Sequence, residues 1–225
     1  MFVNETEPAR YDGVRRNASL AALVIVNAIP LLGVLFFSWD VAALMVLYWS
    51  ENLVIGFYTL VKMLLVAPLG GLFSGLFFLI HYGGFCGVHG MFIVMLLLDS
   101  EFSPFPDDTW PLLLVFPQIL FNVSSHVLAS APPEWLWAFG AMCVSHGLSF
   151  TINFLFGPER ERATVSALMG APYGRIVILH IAILMGGFAT MSLGQPLYML
   201  VVLVLLKTGM DVTLHLRQHR RAGAS

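Results

Sequence analysis

Residues 41–66 read VAALMVLYWSENLVIGFYTLVKMLLV, an apolar run with Glu51 and Asn52 near its middle and Lys62 toward its end. A helix needs ~20 mostly apolar residues to cross the hydrocarbon core of a bilayer. A charged side chain at the centre of such a helix costs ~2.5–3.5 kcal/mol on insertion scales. It therefore faces a cavity or the interior of a bundle rather than lipid. The stretch predicts a membrane helix with a polar inner face.

The remaining chain repeats that pattern. Hydrophobic residues make up 58% of it and charged residues 11%, whereas a soluble domain carries about 25% charged residues. Apolar runs at 18–38, 72–98, 136–156, 174–193 and 196–216 join 41–66 to give six spans. Ser38-Trp39-Asp40, Ala67-Pro68-Leu69-Gly70-Gly71, Gly157-Pro158-Glu159-Arg160 and Gly194-Gln195-Pro196 punctuate them. Backbone polar groups must be satisfied internally in lipid, so the expected fold is all-α, a polytopic membrane helix bundle.

Segment 110–130 is apolar at first but holds Pro111, Pro117, Asn122, Ser124, Ser125 and His126. A seventh span, a re-entrant piece and an interfacial helix all fit it. Charge favours six spans. Arg10, Arg15 and Arg16 precede the first run, Lys62 ends the second, Arg160, Arg162 and Arg175 lie in the 157–175 connection, and Arg217, Arg220 and Arg221 follow the last. Asp99, Glu101, Asp107 and Asp108 sit in the 99–108 connection. Six spans put every basic cluster on one side, which is the cytoplasmic side by the positive-inside rule.

The expected organisation is a cytoplasmic tail at 1–17, a transmembrane domain at 18–217 with an outer loop at 99–134, and a second cytoplasmic tail at 218–225. Trp39, Trp110, Trp135 and Trp137 then form an outer aromatic belt. The first apolar run lacks a cleavage signature and is expected to stay as an anchor.

Net charge is −2, so no basic field points to nucleic acid. The expected partners are the lipid bilayer, a small-molecule or lipid substrate of unspecified kind, and a second copy of the chain in a homo-oligomer. Cys86 and Cys143 form no CxxC pair and no disulfide framework.

Polar residues recur inside the other spans: His81 and His89, His146 and Asn153, His180, then Lys207, Asp211 and His215. Glu51, Tyr58 and Lys62 share a helix face, and Lys207, Asp211 and His215 form an i, i+4, i+8 row whose first two members pair as ions. Under six spans, His81, His146 and His180 fall in the middle to inner part of their helices, Asp211 and His215 nearer the inner end, and His89 and Glu51 further out.

His81, His89, His146, His180, Asp211 and His215 form the expected ligand set for zinc, iron or copper, because imidazole and carboxylate bind these metals. Glu51 is the expected catalytic group of a metal-dependent membrane enzyme using a metal-bound water. Whether the chain is an enzyme is left open. One alternative is a proton- or ion-coupled transporter whose path runs along Glu51, the histidines and Asp211; no pair of broken helices is evident for it. Another is a haem-binding electron-transfer protein, although His81 and His89 are only ~12 Å apart along a helix. A fourth reading has each histidine simply hydrogen-bonding across helices. No HExxH motif appears. Cys86-Gly87-Val88-His89-Gly90 and Cys143-Val144-Ser145-His146-Gly147 repeat a C-x2-H-G pattern.

Several of these stretches resemble a known family. Tyr48-Trp49-Ser50-Glu51-Asn52 running to Lys62, His81-Tyr82-Gly83-Gly84-Phe85 with His89-Gly90, Ser145-His146-Gly147, Ala171-Pro172-Tyr173-Gly174-Arg175 with His180, and Lys207 with Asp211 and His215 look like its signatures. It is a family of uncharacterised bacterial multi-pass membrane proteins, a domain of unknown function, and the resemblance covers about residues 20–217. It implies a protein of the bacterial inner membrane and supplies no activity.

Overall fold

Asp40 turns the chain from one helix into the next. Its carboxylate caps the new helix, accepting hydrogen bonds from the backbone N–H groups of Ala42 at 2.6 Å and Ala43 at 3.2 Å. The computed structural model describes residue 20 and residues 24–25, 27–105, 108–131 and 133–222; the side chains of 133–134, 214–215 and 217–222 lie outside that description.

The helices are α1 (Asn27–Phe37), α2 (Val41–Val66), α3 (Pro68–Leu97), α4 (Val115–Ser130), α5 (Pro133–Ser149), α6 (Glu159–Arg162), α7 (Val165–Gly170), α8 (Tyr173–Leu193) and α9 (Leu197–Ala222). A 3-10 turn at Leu112–Leu114 leads into α4, and a π-helical stretch at Phe150–Leu155 continues α5. No strand occurs among the described residues. Val41–Val66, Pro68–Leu97, Leu112–Ser130, Trp135–Leu155 and Val165–Leu193 are each long and apolar enough to cross a membrane. The chain is thus the membrane-embedded, all-α bundle that its composition predicts.

Cross-helix contacts give the directions. α2 and α3 are an antiparallel hairpin: Trp49 Nε1 donates to the Cys86 carbonyl at 2.7 Å, and Tyr82 OH donates to the Asn52 carbonyl at 3.1 Å. α8 runs with α3, since Tyr173 meets His81, His180 meets His89 and Gly187 meets Leu96. α9 returns against α8, with Met199 on Gly186. α5 runs with α2, from Trp135 near Asp40 to Phe154 beneath Lys62. Lys62, Arg160 and Arg162 gather at one end of the bundle, and Trp39, Asp40, Asp99 and Trp135 at the other.

The 99–130 segment does not pass through. Phe116 seats on Gly84, Leu120 on Gly87, and Val127 lies beside Leu98, so α4 runs parallel to α3. The chain before it descends along the same helix. His126 lies 3.7 Å from Asp99, Asn122 Nδ2 donates to the Pro104 carbonyl at 2.7 Å, and Gln118 both accepts from Trp110 N at 2.8 Å and donates to the Asp108 carbonyl at 3.0 Å. The segment starts at the Trp39 end, turns where Leu113 meets His81, and returns along α3 to the same end. Trp110 therefore departs from the outer belt expected for it, because Gln118 holds its backbone well below Leu98.

Glycine makes the close fit possible. A Cβ on Gly87 would lie 2.8 Å from the Leu120 nitrogen, so α4 can touch α3 only where that side chain is missing. Lipid gives no hydrophobic drive to helix association, so such contact is what holds the bundle.

One span is broken. α7 and α8 are separated at Gly170-Ala171-Pro172, where Pro172 has no N–H to continue the ladder. The sequence analysis starts this span at 174 and assigns 157–175 to a connection, whereas the apolar stretch begins at Val165 and includes α7.

Candidate functional site

The centre of the bundle is built on Glu51. Its neighbours on α2 spend their side chains locally: Ser50 Oγ donates to the Val46 carbonyl at 2.7 Å and Asn52 Nδ2 to the Tyr48 carbonyl at 2.9 Å. Glu51 instead reaches across the bundle. Arg175 Nη1 of α8 lies 2.9 Å away, His146 Nε2 of α5 3.7 Å, and Lys207 Nζ of α9 4.0 Å. The Glu51 side chain is only 21% exposed.

Each cation has a structural reason to be there. Arg175 sits in the first turn of α8, directly after the break at Pro172, which lets the new helix start inside the bundle. Lys207 Nζ also lies 4.6 Å over the Tyr48 ring, a cation–π contact. Asp211 does not pair with Lys207 as its i, i+4 spacing suggests; it accepts from Asn27 Nδ2 at 3.0 Å, while Lys207 turns to α2. Partners from other helices outcompete the neighbour one turn away. Lys62 leaves the site altogether and pairs with the exposed Glu159 at 2.7 Å.

Around one carboxylate there are thus the side chains of an arginine, a lysine and a histidine, each from a different helix. The cleft beside them, lined by Tyr48, Asn52, Arg175, Leu203 and Lys207, has a volume of about 30 Å³, room for about one water.

The histidines divide among several partners. His89 Nε2 meets His180 Nδ1 at 2.8 Å, His81 Nδ1 meets the Tyr173 hydroxyl at 2.8 Å, His146 faces Glu51, and His126 faces Asp99. His215 lies on α9, but its side chain is outside the described residues. Among the described residues no three His, Cys, Asp or Glu side chains assemble into a metal-binding group. His81 and His89 are ~12 Å apart along α3 and each meets a different level of α8. Depth also pairs differently from the expectation: His146 shares a level with Glu51, and His180 with His89.

The repeated C-x2-H-G pattern has a structural meaning that its spacing did not disclose. On α3 the Cys86 carbonyl accepts from Trp49, and the same indole lies where a Gly90 Cβ would be. On α5 the Cys143 carbonyl accepts from Tyr58 OH at 3.2 Å, and that hydroxyl lies 2.7 Å from where a Gly147 Cβ would be. In a helix the residue at i+4 covers the carbonyl at i. Glycine there opens a slot, and an aromatic donor of α2 fills it. The slot fixes the rotation of the helix and so aims the histidine at i+3. In each slot the cysteine contributes its backbone carbonyl.

The sequence marks Arg175 for sidedness, Lys207 for pairing with Asp211, and both as parts of the family-like stretches, but not as partners of Glu51. The available signal was Arg175 three residues after Pro172.

A model of the family of unknown function DUF6498 matches residues 12–225, and the chain belongs to that family. No curated protein and no solved structure matches it.

Proposed function

For this member of the family, we propose a proton-coupled carrier of small anions, with Glu51 as the coupling group. The observation that carries the reading is the ring of Arg175, His146 and Lys207 around one inward carboxylate. With Glu51 ionised, it occupies the cations itself. Protonation of Glu51 releases Arg175 and Lys207 to hold an external anion, so proton and anion enter together. His146, 3.7 Å from Glu51, is the adjacent group suited to pass the proton, because an imidazole ring can take a proton on one nitrogen and release one from the other.

The broken α7–α8 span and the 99–130 segment that doubles back support the reading. Discontinuous helices are a common means by which carriers expose binding groups and move. The narrow cleft at Glu51 corresponds to a closed state, and the Gly170–Pro172 break is the element suited to open it. The basic residues at the Lys62 end support an inner-membrane location with that end, and both chain termini, in the cytoplasm.

Proteoliposomes carrying a pH-sensitive dye test the proposal with formate, acetate and inorganic phosphate as probes. At least one of these anions should acidify the lumen faster than it does in protein-free liposomes when added outside. Glu51→Gln should still take up that anion but no longer move the dye. If none of the three moves the dye, or if Glu51→Gln matches the unaltered protein, the reading fails.

A metal centre is the second reading. The closeness of the His89 and His180 imidazoles is what points to it, and a zinc, iron or copper ion there would have to replace their 2.8 Å hydrogen bond and take the remaining ligands from outside the described groups. Haem held between the two imidazoles would require them to stand apart by about twice a metal–nitrogen bond of ~2.0 Å. Elemental analysis and a visible spectrum of the purified protein test both; stoichiometric metal or a Soret band is the expected sign.

A further inference from the structure

One side chain of the Glu51 cleft has only half of its hydrogen bonding used. Asn52 lines the cleft beside Arg175 and Lys207 and is itself 6% exposed. Its Nδ2 is committed to the Tyr48 carbonyl at 2.9 Å, while its Oδ1 is buried with no partner. The two arms of the amide cannot be exchanged. The Tyr48 carbonyl only accepts, so the arm that meets it must be the donor. Oδ1 is thereby turned off the backbone of its own helix.

A buried acceptor without a donor costs free energy, and most such atoms in native proteins are met by something. The other polar side chains lining the cleft are Tyr48, Glu51, Arg175 and Lys207. Arg175 and Lys207, the charged donors among them, are turned to Glu51. The missing donor therefore has to come from what enters the cleft.

The cleft asks two things of a ligand. Arg175 and Lys207 call for negatively charged oxygens once protonation of Glu51 frees them. That protonation removes one negative charge, so a monoanion restores the balance. A flat carboxylate also matches the planar fork of a guanidinium. Asn52 Oδ1 adds the opposite requirement, a hydrogen-bond donor on the same ligand. A hydroxyl meets it without charge, whereas an ammonium would be brought against Arg175 and Lys207. The narrow cleft, about 30 Å³, keeps the ligand to a few heavy atoms.

We infer that the anion held beside Glu51 is a small hydroxy carboxylate, with its carboxylate on Arg175 and Lys207 and its hydroxyl donating to Asn52 Oδ1. This deepens the carrier reading and rests on it. Asn52 sets specificity and takes no part in moving the proton.

Equilibrium dialysis of labelled glycolate against the whole protein in lipid nanodiscs tests this. Glu51→Gln is dialysed beside the unaltered protein, because it removes the carboxylate charge that occupies Arg175 and Lys207. Acetate and fluoroacetate are the competitors. Acetate lacks the hydroxyl, and fluoroacetate replaces it with an atom of similar size that cannot donate. Glycolate should bind one saturable site in Glu51→Gln. Acetate and fluoroacetate should each compete about ten-fold more weakly, as the loss of one hydrogen bond to a buried acceptor requires. Asn52→Leu, added to Glu51→Gln, keeps a branched side chain without the acceptor and should bring glycolate down to the level of acetate. A purely structural role for Asn52 would instead weaken all three ligands in proportion. The order of the three ligands needs no change at Asn52, so it stands as a test even if Asn52→Leu fails to fold.

Absence of saturable glycolate binding to both proteins overturns the inference. Acetate or fluoroacetate that competes as well as glycolate, or an Asn52→Leu protein that still prefers glycolate, overturns it too and leaves Oδ1 to a water. The dye assay decides the carrier reading separately. Acetate that moves the dye but equals glycolate in dialysis removes the hydroxyl contact alone, and a preference for glycolate with no anion moving the dye removes transport alone.

Discussion

Cys86–Gly90 on α3 and Cys143–Gly147 on α5 carry the same C-x2-H-G pattern and the same backbone device, yet they deliver their histidines to different chemistry. Both open a carbonyl by placing glycine at i+4, and both receive an aromatic donor from α2. His89 then meets a second imidazole in a part-buried contact, while His146 meets a carboxylate that Arg175 and Lys207 also approach. The local pattern fixes how each helix is rotated. What the histidine finds there depends on which helix has packed opposite.

The two slots differ in how much they can give, and substitutions should separate them. Gly90→Ala is expected to cost most, about 3 kcal/mol, at the upper end of overpacking costs. Its new Cβ would lie 2.6 Å from an indole carbon of Trp49, which is 2% exposed and hemmed in. Thermal unfolding in detergent should record this as a large fall in melting temperature. Gly147→Ala should cost less, about 1–2 kcal/mol, because only the hydroxyl end of Tyr58 must move. If the Gly147 variant proves as unstable as the Gly90 variant, the two slots are not the rigid and compliant pair described here.

Tyr58→Phe removes the hydrogen bond to the Cys143 carbonyl but keeps the ring. Interhelical hydrogen bonds in membranes average ~0.6 kcal/mol, so the expected loss is of that order. Combined with Gly147→Ala it should cost less than the sum of the two, since the alanine then meets no hydroxyl; additive losses would mean that Tyr58 OH is not what fills the slot. The smallest effect is expected from His146→Gln. Its partner Glu51 keeps Arg175 at 2.9 Å, so stability should change by less than about 0.5 kcal/mol, while any proton-coupled dye response should slow. A fall in stability comparable to that of Gly147→Ala would make His146 a structural member of the cluster.

Much of the candidate site was legible in the sequence. Glu51 stood out because a carboxylate in the middle of an apolar run has no cheap way to meet lipid. His89 stands out for the same reason and is buried, whereas the sequence places Glu51 level with His89 and the structure sets it against His146. Arg175 was not, because an arginine near a helix start serves equally well as a marker of sidedness. The Lys207–Asp211 spacing pointed to an internal pair, and Asn27 and Glu51 drew the two residues apart. The pattern of segment 110–130 admitted three readings, and hydropathy could not separate them, since a re-entrant helix is as apolar as a crossing one.

The sequence by itself determined that the chain is a bundle of membrane helices and that a mid-span carboxylate such as Glu51 turns inward, because the penalty for a polar group in lipid acts on every residue separately and can be read one position at a time. Only the tertiary structure decided which inward groups meet, that Pro172 starts a fresh helix beside Glu51, and that the chain after Leu98 doubles back. Those outcomes depend on how helices rotate and approach, and that is set by glycine slots and interhelical hydrogen bonds whose two halves lie far apart along the chain.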